Sequence, residues 1–258
     1  MPEMIAGARA YIESPPVTPL GGGVLAAARV IPTSGHELMG AQFLSDACAE
    51  LSEWTEWCDV TPTGTKLFDG SYGLVEGDPF VVYAGTDCVS ETVAEARTRA
   101  VNRLDLLEGR SVDAAVQALA ETTAIDLGGP FPVSQAIGVA EAFMATVYGG
   151  VPTLLIPRRL VACACGYSLR VNLDGTLTTC QGSHVANVTT PITTPVTGDA
   201  ETIYITGQIT LLQGPVTAIS VPTQPLSAGT FAPARALAER VYVPLLDCVV
   251  AKVEASCS

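Results

Sequence analysis

Residues 136–207 decide the fold. They open with Ala136-Ile137-Gly138-Val139-Ala140-Glu141-Ala142-Phe143-Met144-Ala145-Thr146-Val147-Tyr148, which reads as a helix ending at Gly149-Gly150. Val151-Pro152-Thr153-Leu154-Leu155-Ile156 follows as an apolar strand, and Pro157-Arg158-Arg159-Leu160 opens a second helix. Next comes a hairpin-like segment, Leu169-Arg170-Val171-Asn172-Leu173-Asp174-Gly175-Thr176-Leu177-Thr178-Thr179. A Thr/Pro-rich loop over 189–198 leads into the strand Ile203-Tyr204-Ile205-Thr206-Gly207. The stretch is a compact unit of helices and strands, and no nucleophile, base or metal cluster lies in it.

Working outward, the elements on either side are longer. Pro79-Phe80-Val81-Val82-Tyr83-Ala84-Gly85 reads as a strand bounded by turn residues. Ser90 is placed to cap a long helix over 91–120, with Glu91 and Glu95 in its first turn. Val93, Ala96, Ala100, Leu104 and Leu107 repeat at helical spacing. Gly109-Arg110 predicts a break or kink, with Ser111 restarting the helix. About 30 residues of helix make a strut of about 45 Å. Gly128-Gly129-Pro130 reads as a linker. Residues 209–216 and 219–221 are further strands, and 241–253 reads as one long terminal strand with Pro244 at an edge or bulge. That strand is expected to pair near Phe80 and Tyr83 in a sheet packed on the long helix.

Towards the N-terminus, residues 1–22 read as an extended arm ending in Gly21-Gly22-Gly23, and 24–31 as a short strand. Residues 36–59 set Phe43, Leu44, Leu51, Trp54 and Trp57 among Asp46, Glu50, Glu53, Glu56 and Asp59. That pattern is a short amphipathic helix or loop with a solvated acidic face. The competing reading is an arm that docks Trp54 and Trp57 on a neighbouring subunit.

Composition narrows the function. Of 258 residues, 48% are hydrophobic and 15% charged, with mean hydropathy +0.37. So few charges leave apolar surface that a partner subunit is the usual means of covering. No apolar run reaches the roughly 18 residues that cross a bilayer. The net charge is −13, and the longest basic pair is Arg158-Arg159, so no cation cluster is available to displace counterions from nucleic acid. An acidic wall that contains DNA without gripping it remains compatible. Glu3, Glu13 and Pro15-Pro16 interrupt any signal-peptide core, so folding in a cytoplasm is expected. The eight cysteines then read mostly as reduced, small apolar side chains.

Candidate chemistry is sparse. The histidines are His36 and His184, and only a Cys180/His184 couple suggests nucleophilic catalysis. A turn residue at a hairpin is the preferred reading of His184. The aspartates are scattered, so no acid/base pair can be assigned. Gly21-Gly22-Gly23 lacks the following Gly-Lys-Ser/Thr of a phosphate loop. No nucleotide or metal motif emerges, and no cofactor is expected. Arg158-Arg159 at a helix start fits an anion less well than ion pairs across a subunit contact.

The order of these elements resembles the major capsid proteins of tailed bacteriophages with the HK97-type fold, most of all those infecting actinobacteria. The resemblance rests on five pieces: an N-terminal arm with Trp and Cys; Asp78-Pro79-Phe80-Val81-Val82-Tyr83-Ala84-Gly85 followed by Cys88; the long helix; the unit from Gly149-Gly150 through Arg158-Arg159 and Asp174-Gly175-Thr176-Leu177-Thr178-Thr179 to Ile203-Tyr204-Ile205-Thr206-Gly207; and Ala238-Glu239-Arg240-Val241-Tyr242 leading into the terminal strand. It covers most of 75–255.

The resemblance implies an α+β fold in several parts. Residues 1–35 would be an N-terminal arm and 36–75 an extended loop. Residues 76–135 with 236–258 would form a peripheral domain, and 136–235 an axial domain. It implies a non-enzymatic shell subunit that self-assembles into hexamers and pentamers around double-stranded DNA. Portal, scaffolding or decoration proteins would be further partners, the virion its location and the host cytoplasm its site of assembly. Subunit-interface candidates are Trp54, Trp57, Arg158 and Arg159. Lys66 and Lys252 are the only lysines available for an isopeptide crosslink, so non-covalent stabilisation is expected. Alternatives are an encapsulin-type compartment, a small Cys180/His184 hydrolase, and another virion component such as a decoration or tail protein.

Overall fold

A computed structural model of the chain describes residues 17–48, 73–88, 92–189, 200–221, 225–226, 230–231 and 234–257. In chain order the elements are α1 (Val24–Ala27), β1 (Arg29–Pro32), a 3-10 turn (Gly35–Met39), β2 (Ala41–Ser45), β3 (Gly73–Gly77), β4 (Phe80–Cys88), α2 (Val93–Thr123), β5 (Ile125–Asp126) and β6 (Phe131–Pro132). Next are α3 (Val133–Val147), β7 (Thr153–Pro157), α4 (Arg158–Ala164), β8 (Leu169–Val171), β9 (Leu177–Thr179), β10 (His184–Val188) and β11 (Ala200–Thr206). The rest are β12 (Ile209–Gln213), β13 (Thr217–Val221), β14 (Pro225–Leu226), β15 (Thr230–Phe231), β16 (Ala234–Leu246) and β17 (Val250–Ser256).

Two sheets organise the molecule. The first runs β1-β12-β16-β13, with β4 also paired to β16. The second runs β5-β17-β11-β7-β10-β9-β8, with β6 also on β17. Helix α2 lies across the first sheet. Its stripe of Ala96, Ala100, Leu104, Val112, Val116 and Ala120 is buried, and it shares a core with Val82, Ala236, Ala238 and Tyr242. Alanines on both surfaces let the helix approach the strands closely.

The helix is one continuous element of 31 residues, about 46 Å long. The break expected at Gly109-Arg110 does not occur. A glycine inside a helix costs about 1 kcal/mol against alanine, which the burial of the helix's apolar stripe along its length outweighs. The cap is Thr92 rather than Ser90: its Oγ1 accepts from the Glu95 amide at 3.3 Å, while a Glu95 carboxylate oxygen accepts from the Thr92 amide at 2.8 Å.

Helices α3 and α4 cover the second sheet. Val133, Ala136, Ile137, Ala140 and Met144 pack with Leu154, Ile156, Ile203, Ile205 and Val253. The opposite face of the sheet turns Leu155, Ala186, Val188 and Val250 into the α2 core. Strand β7 is therefore buried at all five positions, which is why its sequence is a continuous apolar run rather than an alternating one. The helix, strand, helix and hairpin read from 136–207 are all present, with α3 starting three residues earlier, at Val133.

The terminal strand differs from expectation. Its first part pairs with β4 as anticipated, Tyr242 opposite Phe80 and Val241 opposite Val81. The strand then stops at Leu246. After Asp247-Cys248-Val249 the chain enters the second sheet as β17, paired along its length with β11. Pro244 is paired to Leu211 on one side, beyond the reach of β4 on the other, so a missing amide donor does no harm there. Residues 24–31, read as a strand, divide into α1 and β1, and β1 pairs in parallel with β12.

Four of the eight cysteines, expected as reduced thiols, form disulfides: Cys48–Cys248 and Cys163–Cys257. Cys165 and Cys180 are free and exposed.

The crossing between sheets has a specific geometry. Thr206 pairs with Val250 in the second sheet, and Ile209 with Leu246 in the first. Between them the Gly207 amide donates to Asp247 O and the Asp247 amide to Gln208 O, both at 3.1 Å. Strands β11–β12 and β16–β17 thus form one antiparallel ribbon running through both sheets. The Tyr148 hydroxyl sits on the crossing: it donates to the Asp247 carboxylate at 3.1 Å and accepts from the Gln208 amide at 2.9 Å. A Cβ on Gly207 would stand 2.6 Å from Asp247 O and 2.7 Å from the Tyr148 ring. Gly207→Ala is expected to cost about 1–3 kcal/mol. Tyr148→Phe, which leaves a buried carboxylate and an amide short of a partner, should cost about as much. Urea unfolding monitored by circular dichroism checks both.

Candidate assembly surfaces

The four interface candidates fall in two places. Trp54 and Trp57 lie outside the described residues. Arg158 and Arg159 open α4, both with partners inside the chain. Arg159 pairs with Glu201 at 3.1 Å and keeps 40% of its side chain exposed. Arg158 reaches the N-terminal segment, donating to Gly21 O at 2.8 Å and to the Thr189 hydroxyl at 3.4 Å.

Arg158 belongs to a polar junction that residue patterns did not reveal. At its centre is Asp113, 2% exposed, in the middle of α2. One carboxylate oxygen accepts from the Val24 amide at 2.8 Å, and the other from the Thr189 amide at 3.1 Å. Gln117, one turn on, donates to Thr189 O at 3.3 Å. The Asn187 amide donates to Gly22 O at 2.6 Å. Residues 17–28 are thereby sewn onto α2 and β10, where they line a cavity of about 220 Å³ with Gly109, Arg110, Asp113 and Arg158. Gly23 is obligatory at this crossing, because a Cβ there would collide with the Asp113 carboxylate. The one available signal was position: Asp113 stands three residues before Val116 and seven before Ala120, on the buried stripe.

Two further carboxylates are similarly committed. Glu108 in α2 receives Arg240 Nη1 at 2.8 Å and the Tyr242 hydroxyl at 3.1 Å. Glu141 in α3 receives the hydroxyls of Thr179 and Ser183, each at 2.5 Å. Each ties a helix to a strand or hairpin distant in sequence.

The Cys180/His184 couple does not assemble as a catalytic pair. The Cys180 thiol donates to Tyr167 O at 3.4 Å, and His184 is a strand residue of β10, opposite Thr153 and Thr178. No hydrogen bond joins them among the described residues. His36 lies in the 3-10 turn. Among the described residues no cluster of three or more His, Cys, Asp or Glu could hold a metal ion, and no helix is long and apolar enough to cross a membrane.

Several large apolar side chains are exposed among the described residues, the facing pair Leu44 and Leu74 of β2 and β3 among them, and two groups lie on the two large sheets. The face of the first sheet turned from α2 exposes Val81 (50%), Tyr83 (70%) and Ile219 (51%). Beside them a groove of about 680 Å³ is lined by Arg103, Asp87, Arg235 and Leu237. The second patch is the β8–β9 hairpin at the open edge of the second sheet, with Tyr167 at 87%, Val171 at 68% and Leu173 fully exposed. Surfaces of this kind are ordinarily covered by another chain.

No protein-family model matches the chain, and no curated protein matches it in sequence. Solved structures do match it in fold. A capsid chain of a native GTA particle superposes with a TM-score of 0.59 at 9% identity, over 98% of this chain and 96% of that one. A chain of Mycobacterium phage Adephagia gives 0.55 at 15% identity over 95% of both. One of Mycobacterium phage Bobi gives 0.53 at 15% identity, over 97% and 96%. The chain has the HK97-type capsid fold, an α+β architecture shared along nearly its whole length.

Asp113 makes the N-terminal junction sensitive to pH. Burial pushes its carboxyl above the ordinary 3.8, against the opposing pull of the Val24 and Thr189 amides and of Arg158. A raised folded pKa means that its stabilising contribution is complete below 3.8 and is lost as pH rises through the folded value. Asp113→Asn keeps one acceptor but points an N–H at an amide. It should lower stability at pH 7 by about 1–3 kcal/mol. The gap between wild type and variant should widen as pH falls towards 4, as read from urea midpoints across that range.

Proposed function

We propose that the chain is the structural subunit of an icosahedral viral shell, the major capsid protein of a tailed bacteriophage. It assembles with itself into hexamers and pentamers that enclose double-stranded DNA. The single observation that supports this most is the near-complete superposition with the capsid chain of the GTA particle, covering 98% of this chain. The composition agrees: 15% charged residues and two exposed apolar patches suit a subunit surrounded by copies of itself.

In this reading the protein is non-enzymatic and its location is the virion, after assembly in the host cytoplasm. Its net charge of −13 contains DNA without gripping it. Residues 1–35 act as an arm, 36–75 as an extended loop, 76–135 with 236–258 as the peripheral domain, and 136–235 as the axial domain. Trp54 and Trp57 on the extended loop anchor it to a neighbour. Arg159, half-exposed beside Glu201, is the better placed of the two arginines to reach another subunit, while Arg158 orients the arm. Portal, scaffolding and decoration proteins are further partners of such a shell.

Purified full-length protein, examined by light scattering and electron microscopy across salt and pH, is expected to form closed particles or capsomers. A monomer under every condition would sink the reading. Trp54→Ala with Trp57→Ala should reduce particle yield at least tenfold while leaving the circular dichroism spectrum of the subunit unchanged.

A further inference from the structure

Strand β17 is bracketed by cysteines. Cys248 precedes it by two residues and Cys257 follows it directly. Their disulfide partners are in different parts of the fold. Cys248 is bonded to Cys48, shortly after β2 at the root of the segment leading to β3. Cys257 is bonded to Cys163 in α4. A strand that already pairs with β11, β5 and β6 is thus also held covalently at both ends.

Non-covalent contacts also hold these cysteines beside one another. On one side, the Gly149 amide donates to Ala47 O at 2.7 Å, fixing the chain beside Cys48. The crossing contacts of Asp247 fix Cys248. On the other side, Val253 and Ala255 are buried in the core that Leu160 and Ala164 of α4 share, setting Cys257 beside Cys163. The Cα atoms stand 6.0 Å and 5.6 Å apart, within the usual bridging span. The pairs are separated by 200 and 94 positions, so neither forms by local chance.

We propose that the two disulfides are a redox clamp on the C-terminal strand, open while the chain folds in a reducing compartment and closed afterwards by a low-molecular-weight disulfide such as oxidised glutathione. One cysteine thiolate attacks the oxidant, forming a mixed disulfide and releasing one glutathione thiol. The second cysteine thiolate displaces the other. The protein pair gives up two protons and two electrons, and both electrons leave on the two glutathione thiols. Cys163 and Cys257 are exposed and close first; Cys48 and Cys248 are half-buried and close more slowly. The clamp adds a covalent restraint at each end of a strand otherwise held by its ladder hydrogen bonds and its buried side chains, and so suppresses local opening of those ends.

The test uses the full-length chain purified under reductant, then treated with oxidised glutathione. Thiol labelling with peptide mapping follows each pair, and hydrogen–deuterium exchange follows residues 250–256. The reduced chain is expected to keep its far-UV circular dichroism. The Cys163–Cys257 bond should form first, and closure of both should slow exchange in 250–256 roughly thirtyfold. Cys163→Ser should leave the 253–256 end fast, and Cys48→Ser the 250–252 end. Equal exchange in the two redox states, different pairings, or an unfolded reduced chain would each overturn the proposal. The readout does not need particles, so failure of the shell reading would leave it standing.

Discussion

The rest of the structure depends on the ribbon crossing at Gly207 and Asp247. Two antiparallel strands leave the second sheet and enter the first, Thr206 opposite Val250 and Ile209 opposite Leu246, with residues 207–208 spanning the crossing on one strand and 247–249 on the other, so the register shifts by one as at a bulge. Because one pair of strands belongs to both sheets, neither sheet can move independently of the other. Helix α2 packs on the first sheet and reaches the inner face of the second through Leu155, Ala186 and Val188. The opposite face of the second sheet is closed by α3 and α4. The C-terminal end of α3 returns Tyr148 to the crossing, so the hinge is braced from a third direction. Cys248 has φ +63°, the one non-glycine left-handed residue among those described. That cost, about 1 kcal/mol or more, is tolerated where hydrogen bonds fix Asp247 before it and the bond to Cys48 fixes its own side chain.

The buried charges have an orienting role. Asp113, Glu108 and Glu141 each accept from groups far away in sequence; Asp113 and Glu141 would be unpaired buried carboxylates if their partner segments undocked, and Glu108 a half-buried one. Burying an ion pair such as Glu108–Arg240 contributes little net stability compared with an apolar pair. Its value is discrimination, since α2 can sit on the first sheet in only one axial register if Glu108 is to meet both Arg240 and Tyr242. Small side chains along α2 allow several registers on packing grounds alone, so the polar contacts select among them. Asp113 similarly specifies where residues 17–28 cross the helix.

Elements whose partners are local or whose pattern is strong were legible in the sequence. Helix α3, strand β7 and the β8–β9 hairpin all followed from spacing, glycine punctuation and apolar runs, whereas of the strand read over 241–253 only Val241 and Tyr242 pair with β4. Elements decided by distant contacts were not. Gly109 reads as a break because local propensity penalises it, yet α2 continues because the buried stripe resumes on either side of it, with Leu104 before and Val112 after. Residues 241–253 read as one strand because nothing in their composition marks Asp247-Cys248-Val249 as a change of sheet; the determinants are Gly207 and Tyr148, 40 and 99 positions away from Asp247. The disulfides were missed for a related reason. Compartment argued for thiols, and pairings 200 and 94 residues apart leave no trace in spacing. Asp113 looked like one scattered acid among many, although its phase on α2 placed it on the buried stripe.

These features bear on why so apolar a chain needs so few charges. The molecule invests its acidic groups in fixing segments to one another, and its alanines and valines in closing helices onto sheets. The outer face of the first sheet and the β8 edge of the second are left exposed, the former with Val81, Tyr83 and Ile219 and the latter with Tyr167, Val171 and Leu173. One patch thus stands on each sheet, and the shared ribbon holds the two in a fixed relation. A chain built this way presents its exposed apolar surfaces at a constant angle. Closed assemblies require that constancy, because a small rotation at each contact is multiplied around a ring. The rigidity of the crossing and the stickiness of the surfaces are therefore linked: apolar patches on a flexible chain would aggregate, whereas on a braced one they direct association.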